Sequence, residues 1–393
     1  MNIVILSTYP PRECGIASFS KDLRDNLVSI DENVSIIAIT DAKNSYDYPK
    51  EVIFEVSQDE KESFREAADF VNQSSADVVI IQHEYGIFGG DDGSYVLEFA
   101  NHLKKPFVVT THTVLLEPTF GQKNVLSRLG AAANGIVCMT KRSAKLLSKV
   151  YSVPEHKIRV IPHGVPFFEP KGRDELKQKY GYTGRTIVST FGLIGPGKGI
   201  ENCIKAISEL VPHHPDILYL VLGKTHPNII KKYGESYRAS LVSLVEELGL
   251  TDNVKFINEF LSLDKLGDNL YMTDVYVTPY PNKNQAVSGT LTYAVGCGRA
   301  IVSTPYEYAL EILGDGRGLI AQNSDDPKEL AFLIEKIIND PALKQSLENK
   351  AQELGKKMSW NNVAKLYRSF LEELIAFADS KIKEVVSDER SLL

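Results

Sequence analysis

Long apolar runs are what this 393-residue chain most plainly lacks. No stretch reaches the roughly 18 uninterrupted apolar residues of a membrane-spanning helix, so none is expected. Cysteine is scarce: Cys14, Cys138, Cys203 and Cys297 stand far apart, without paired spacing. That excludes a disulfide framework and a cysteine zinc site, and reads as reduced thiols in a cytoplasmic protein. Positive charge is not in excess either. With Lys+Arg 44 against Asp+Glu 51 and a net charge of −7, the chain lacks the basic surface of a general nucleic-acid binder. The opening MNIVILSTYPP has no basic leader and too short an apolar run to be read as a signal peptide. Low-complexity segments and repeats of solenoid length are absent.

What is present is the composition of a soluble globular protein, 43% hydrophobic and 24% charged. The length exceeds one ordinary core and predicts two domains. Short apolar runs at 2–7, 34–39, 77–82, 106–111 and 135–139 alternate with helical stretches, and so do runs at 186–192, 217–223, 254–257, 274–279 and 300–305. Strands alternating with helices imply parallel sheets covered on both faces. The expected fold is α/β: two Rossmann-like, doubly wound domains facing a cleft. They are placed at 1–165 and 166–358, and 359–393 is expected as a C-terminal helix, bearing the single tryptophan Trp360, that crosses back to the first.

In such sheets, ligands gather beyond the carboxyl ends of the strands. Gly15, the pair His83 and Glu84, His112, Lys198, His226 and the run AVSGTLTYA all follow strands there. The stretch FGLIGPGKGI resembles a nucleotide-triphosphate loop in frame, but Gly199 stands where that loop has its metal-binding hydroxyl. A glycine turn opening a helix still suits a phosphate, with Gly197 allowing close approach and Lys198 adding charge. Ser288, Gly289 and Thr290 at a second helix start complete a diphosphate site that needs no metal. Plain alternatives stand beside each reading: a solvated lysine in a tight turn, a serine-capped helix, and structural histidines. His163 reads as a hinge or cleft residue. The basic run TKRSAKLLSKV reads first as a solvated helix face, and second as a contact with anionic lipid.

The ordered set of the Gly15 loop, TTHT with His112, VIPHGV, FGLIGPGKG, TLTYAVGCGRAIVSTP and SWNNVAKLY resembles retaining glycosyltransferases of family 4 with the GT-B architecture. The resemblance covers nearly the whole chain. It implies a GDP- or UDP-hexose donor bound mainly by the second domain. It also implies a glycan or lipid-linked acceptor bound mainly by the first through His83 and Glu84, with no cofactor and no metal. The sequence is consistent with the last point, since it contains no Asp-x-Asp. His112, Lys198 and Gln285 become the catalytic candidates. Gly15, Gly197, His226, Ser288, Gly289, Thr290 and Tyr293 become the donor-binding ones. The resemblance also implies a cytoplasmic hexosyltransferase, with at most peripheral contact at the inner membrane face.

The departures are specific. Leu193 stands where the family pattern has an arginine, and Gln285 and Tyr293 stand where it has two glutamates. The runs QHEYGIFGG, GKTHPN and SGTLTYA resemble those of a bacterial variant subgroup lacking that glutamate pair. His226 is then the expected second donor to the diphosphate. A sugar phosphorylase, a sugar-nucleotide synthetic enzyme, or a catalytically degenerate sugar-binding protein on the same fold are the alternatives.

Overall fold

The computed structural model describes the backbone of residues 1–41 and 45–391, and side chains as far as residue 377. It divides into two compact units, Met1–Gly164 with Trp360 onward, and Val165–Ser359. Each is a parallel sheet with helices packed on it, so the doubly wound reading of the sequence is what the chain forms.

The first unit holds β1 (Asn2–Ser7), β2 (Asn33–Thr40), β3 (Val52–Ser57), β4 (Val78–His83), β5 (Phe107–Thr111), β6 (Gly135–Cys138) and β7 (Ile158–Val160), in spatial order β3-β2-β1-β4-β5-β6-β7. All six pairings are parallel. The central strand VVIIQH is buried at every position, as a strand covered on both faces requires. The helix Trp360–Ser391 belongs to this unit. Trp360 packs edge-on against Phe19 at 4.9 Å between ring centroids, and Gly164 has no room for a Cβ beside the Trp360 indole. Further along, the Tyr367 hydroxyl bonds Thr110 Oγ1 at 3.0 Å, and Arg368 pairs with Glu32 at 3.0 Å.

The second unit holds β8 (Thr186–Phe191), β9 (Ile217–Leu222), β10 (Val254–Ile257), β11 (Val275–Thr278), β12 (Ile301–Ser303) and β13 (Leu319–Ile320), in order β10-β9-β8-β11-β12-β13. Here too every pairing is parallel. The strand ILYLVL is wholly buried between two apolar layers. The ends of the unit meet: the Val165 N–H donates to the Met358 carbonyl at 2.7 Å, and Val165 bridges Ser359.

Strand order reverses between β1 and β4 in the first unit and between β8 and β11 in the second. Helices diverge to opposite faces at such a point and leave a crevice beyond the strand ends. Among the described residues, no helix is long and apolar enough to cross a membrane.

Candidate functional site

In the second unit the crevice is flanked by the loop after β8, residues 192–199, and the loop after β11, residues 279–288. Gly199 takes the left-handed conformation (φ 59°) that turns the chain into the helix Ile200–Leu210. A Cβ there would lie 2.0 Å from the Pro279 carbonyl oxygen, so the two loops touch only because the residue is glycine. Gly223, at the end of β9, is held the same way. Its φ is 136°, and a Cβ would meet the Gly192 carbonyl oxygen at 1.9 Å. Close backbone approach thus draws three loops to one strand edge.

Lys198 bridges the crevice. Its Nζ donates to the Tyr280 hydroxyl at 2.9 Å and lies 4.2 Å from that ring's centroid. The Tyr280 hydroxyl shares a hydrogen bond of 2.6 Å with Thr290 Oγ1, which lies 3.1 Å from Ser288 Oγ. Ser288 caps the helix Gly289–Gly296, its hydroxyl accepting from the Leu291 N–H. An ammonium, three hydroxyls and a helix N-terminus therefore lie along one string, which suits an anion with several oxygens. Gly197, in the 3₁₀ turn Pro196–Lys198, has open space where a side chain would stand.

His226 joins this group through backbone pairing. Ile194 bridges Thr225, and the His226 N–H donates to the Ile194 carbonyl at 2.8 Å. The ring caps the helix Pro227–Tyr233, Nδ1 accepting from the Asn228 N–H at 3.1 Å. Nδ1 being an acceptor, the proton of the neutral ring sits on Nε2. Burial, followed by the neighbouring Lys198 ammonium, holds this imidazole below its usual pKa. The structure therefore favours a neutral N–H donor over a cation. We expect His226→Ala to weaken nucleoside-diphosphate binding about 10- to 100-fold, as loss of one hydrogen bond to a charged group, about 1.5–3 kcal/mol, implies. The factor should be the same at pH 7 and pH 8.5 by titration calorimetry. A factor that shrinks as pH rises would mean a charged ring.

Gln285 and Tyr293 are also in this unit, but outside that string of bonds. The Gln285 Nε2 donates to the Val287 carbonyl at 3.1 Å, and the Tyr293 ring stacks on Phe191 at 6.0 Å.

The first unit holds the remaining expected residues. Gly15 opens the helix Gly15–Val28, with Cys14 as its cap and open space beside its Cα. His112 Nε2 donates to Gln82 Oε1 at 2.8 Å, and its ring meets Phe19 edge-on at 4.7 Å. Burial first, then His163 and His83, holds its pKa down to about 3. His83 was expected to touch an acceptor, yet it is 0% exposed, its ring wedged against Tyr85 at 4.8 Å and Phe88 at 6.0 Å. As the last residue of a strand buried throughout, it turns inward, and neither ring nitrogen has a partner among the described residues. Burial lowers its pKa to about 4. Glu84 is half-buried on the loop after β4. It accepts from Thr113 Oγ1 at 2.5 Å, and burial raises its pKa.

Two residues of the second unit were missed by sequence reasoning. Tyr280 holds Lys198. Arg238, buried on the helix Ser236–Glu247, donates from Nη2 to the Gly223 carbonyl at 2.7 Å and from Nε to Thr225 Oγ1 at 3.0 Å, which braces the His226 turn. Neither partnership is local in sequence, and no motif signals it.

Comparison with known proteins matches both units. Residues 23–167 fit the model of Glycosyltransferase Family 4, and residues 172–354 that of Glycosyl transferases group 1. A 2-deoxystreptamine glucosyltransferase of Streptomyces kanamyceticus is 25% identical over 216 residues, 53% of this chain and 52% of that protein. A D-inositol 3-phosphate glycosyltransferase of a Nocardioides species is 23% identical over 60% of this chain and 52% of its own length. The chain thus spans about half the length of these curated relatives. Among solved structures, Anabaena HepE in complex with UDP superposes with a TM-score of 0.75 at 15% identity, covering 95% of this chain and 100% of that one. A sucrose-phosphate synthase of Thermosynechococcus elongatus gives 0.75 at 16%, covering 96% and 100%.

Proposed function

With a family-4 domain followed by a group-1 domain, the chain belongs to the glycosyltransferases, and we propose that it transfers a hexosyl group from a nucleoside-diphosphate sugar. The sugar is of glucose or mannose type, and the acceptor is a carbohydrate or lipid-linked glycan. The reaction proceeds with retention and without a metal. One observation carries the reading: the string Lys198–Tyr280–Thr290–Ser288 across the strand-order reversal of the second unit. The name of one relative as a glucosyltransferase and the UDP held by the Anabaena neighbour support a uridine nucleotide as the first to test.

As the bond to the anomeric carbon breaks, that carbon gains oxocarbenium character and the diphosphate gains charge. Lys198 swings from the Tyr280 hydroxyl to the departing oxygens. His226 Nε2–H and the N–H groups opening the helix Gly289–Gly296 donate to the same anion. Donors fixed before the charge develops are commonly the largest catalytic contribution. Gln285 then contacts a sugar hydroxyl, and Tyr293 the ribose. In the first unit, His112 is assigned to the transferred sugar and Glu84 to the acceptor. A metal-free route is consistent with the lack of Asp-x-Asp.

The test is a panel of UDP- and GDP-hexoses, scored by donor hydrolysis and by transfer to simple glycosides, with and without excess EDTA. One nucleotide series should be consumed, with activity undiminished by EDTA and the anomeric configuration retained by NMR. Activity abolished by EDTA and restored by manganese would refute the metal-free route. Binding without turnover of any donor would establish the degenerate alternative.

A further inference from the structure

The first turn of the helix Ser236–Glu247 is tied to both donor loops of the second unit. The body of that helix is anchored independently: Leu241 and Val245 are buried in the apolar layer that also takes Ile200, Cys203 and Ile204 of the helix Ile200–Leu210. On the lysine side, the Tyr237 hydroxyl donates to Glu201 Oε2 at 2.7 Å, in the first turn of the helix that follows Lys198. On the histidine side, Arg238 forks across the Gly223 carbonyl and the Thr225 hydroxyl. Glu235 accepts the proton of that same hydroxyl, so its donor and acceptor roles are both taken. The turn 223–226 is in turn stitched to the loop carrying Lys198. The Ile194 N–H donates to the Lys224 carbonyl at 2.7 Å, and the His226 N–H to the Ile194 carbonyl at 2.8 Å.

This arrangement costs stability. Arg238 is 8% exposed, and its Nη1 has no hydrogen-bond partner among the described residues. The Glu235 carboxylate stands 3.6 Å from Nε and is itself 51% exposed, so it compensates the buried charge only in part. A guanidinium buried with one nitrogen unpaired is unfavourable. The helix is already held by Leu241, Val245 and Tyr237, and both bonds of the fork fall on the three residues before His226.

We infer that Arg238 is a positioning residue of the donor site, fixing through Gly223 and Thr225 the turn that presents the His226 imidazole to the diphosphate. The inference rests on the reading of the chain as a glycosyltransferase and deepens its donor site. Gly223 has the freedom of a glycine, at φ 136°, and relaxes once its carbonyl is released. A lysine is no substitute for the fork, since an ammonium on a flexible stem does not reproduce the planar pair of donors.

Titration calorimetry on the full chain with UDP and GDP tests this in Arg238→Lys, in His226→Ala and in the double variant. Arg238→Lys should weaken the nucleotide that the wild type binds about tenfold or more, as loss of a positioned hydrogen bond to a charged group does. In the His226→Ala background the same change should cost less than about twofold, because residues acting in series do not add. The drop in thermal midpoint, by contrast, should be the same in both backgrounds, which separates positioning from support of the fold. Thr225→Val removes one arm of the fork while keeping the guanidinium, and should reproduce part of the loss even if Arg238→Lys folds poorly. A second readout needs no ligand. In imidazole ¹⁵N spectra the His226 proton should sit on Nε2 alone in the wild type and divide between the two nitrogens in Arg238→Lys. A full-sized loss of affinity in both backgrounds, unchanged affinity in Arg238→Lys and Thr225→Val, or an unchanged tautomer would each overturn the inference. A wild type that binds neither UDP nor GDP would instead overturn the donor reading, and the ¹⁵N spectra would still decide whether Arg238 sets the ring.

Discussion

Replacing Lys198 with alanine is expected to lower kcat about 10²- to 10³-fold, the usual consequence of removing one donor from a developing oxyanion. Folding should be untouched, because the ammonium is only part-buried and its partner is the single Tyr280 hydroxyl. The loss should fall mainly on kcat at saturating donor, since the diphosphate carries more charge in the transition state than before it. Tyr280→Phe separates position from charge. It leaves the ammonium in place but removes the hydroxyl that aims it, so the fall in kcat should be smaller, about tenfold. Near-normal turnover of Lys198→Ala at saturating donor would take the lysine out of the chemistry. Equal losses in both variants would mean that the string works as one unit.

Mild acid is expected to unfold the first unit selectively. Burial holds His83 to about 4, His112 to about 3 and His163 to about 4, each below the ordinary value of about 6.5. Between these limits the unfolded chain binds protons that the folded one refuses. Stability is therefore complete above pH 6.5 and falls as pH drops toward 4. At pH 5 each unfolded ring gains about 2 kcal/mol that its folded counterpart forgoes, so the three together cost up to about 6 kcal/mol. Whole domains are stable by only about 5–15 kcal/mol. Trp360 reports directly, being the only tryptophan and 5.9 Å from the His163 ring. Its fluorescence should give a urea midpoint that drops steeply from pH 7 to pH 5, and His83→Leu should make the drop shallower. A midpoint independent of pH over that range would show that the rings are not held neutral.

The legible parts of this fold were those with two buried faces. VVIIQH and ILYLVL read as strands from sequence because every position is apolar or inward, and both are central strands. The missed strands all lie at sheet edges. VIFEVS alternates half-buried with exposed positions over its first four residues and buries only Val56, IRV is largely exposed, and LI is two residues long. An edge strand needs less apolar cover, so its signal fades into the loops around it. In the candidate site, Lys198, Ser288 and Thr290 announce themselves through glycine and hydroxyl patterns beside strand ends. Tyr280 does not, because its role arises from a bond to a residue 82 positions away. His83 misled for a related reason. At the last position of a strand, sequence alone gives no sign of whether a polar side chain faces inward or out.

The order in which the chain leaves the ribosome follows from where its two units divide. The second unit is one unbroken segment, 165–359, whose ends are already hydrogen-bonded to each other, whereas the first is split between 1–164 and the helix beginning at Trp360. Synthesis therefore completes the second unit first. Until Trp360 and Tyr367 emerge, Phe19 and Thr110 lack their native cover. The nascent first half must wait, partly uncovered, while the second is made, roughly 10 to 40 s at about 5–20 residues per second. The half encoded later is the half that finishes folding earlier, and the interval in between is when a holding chaperone has most to protect.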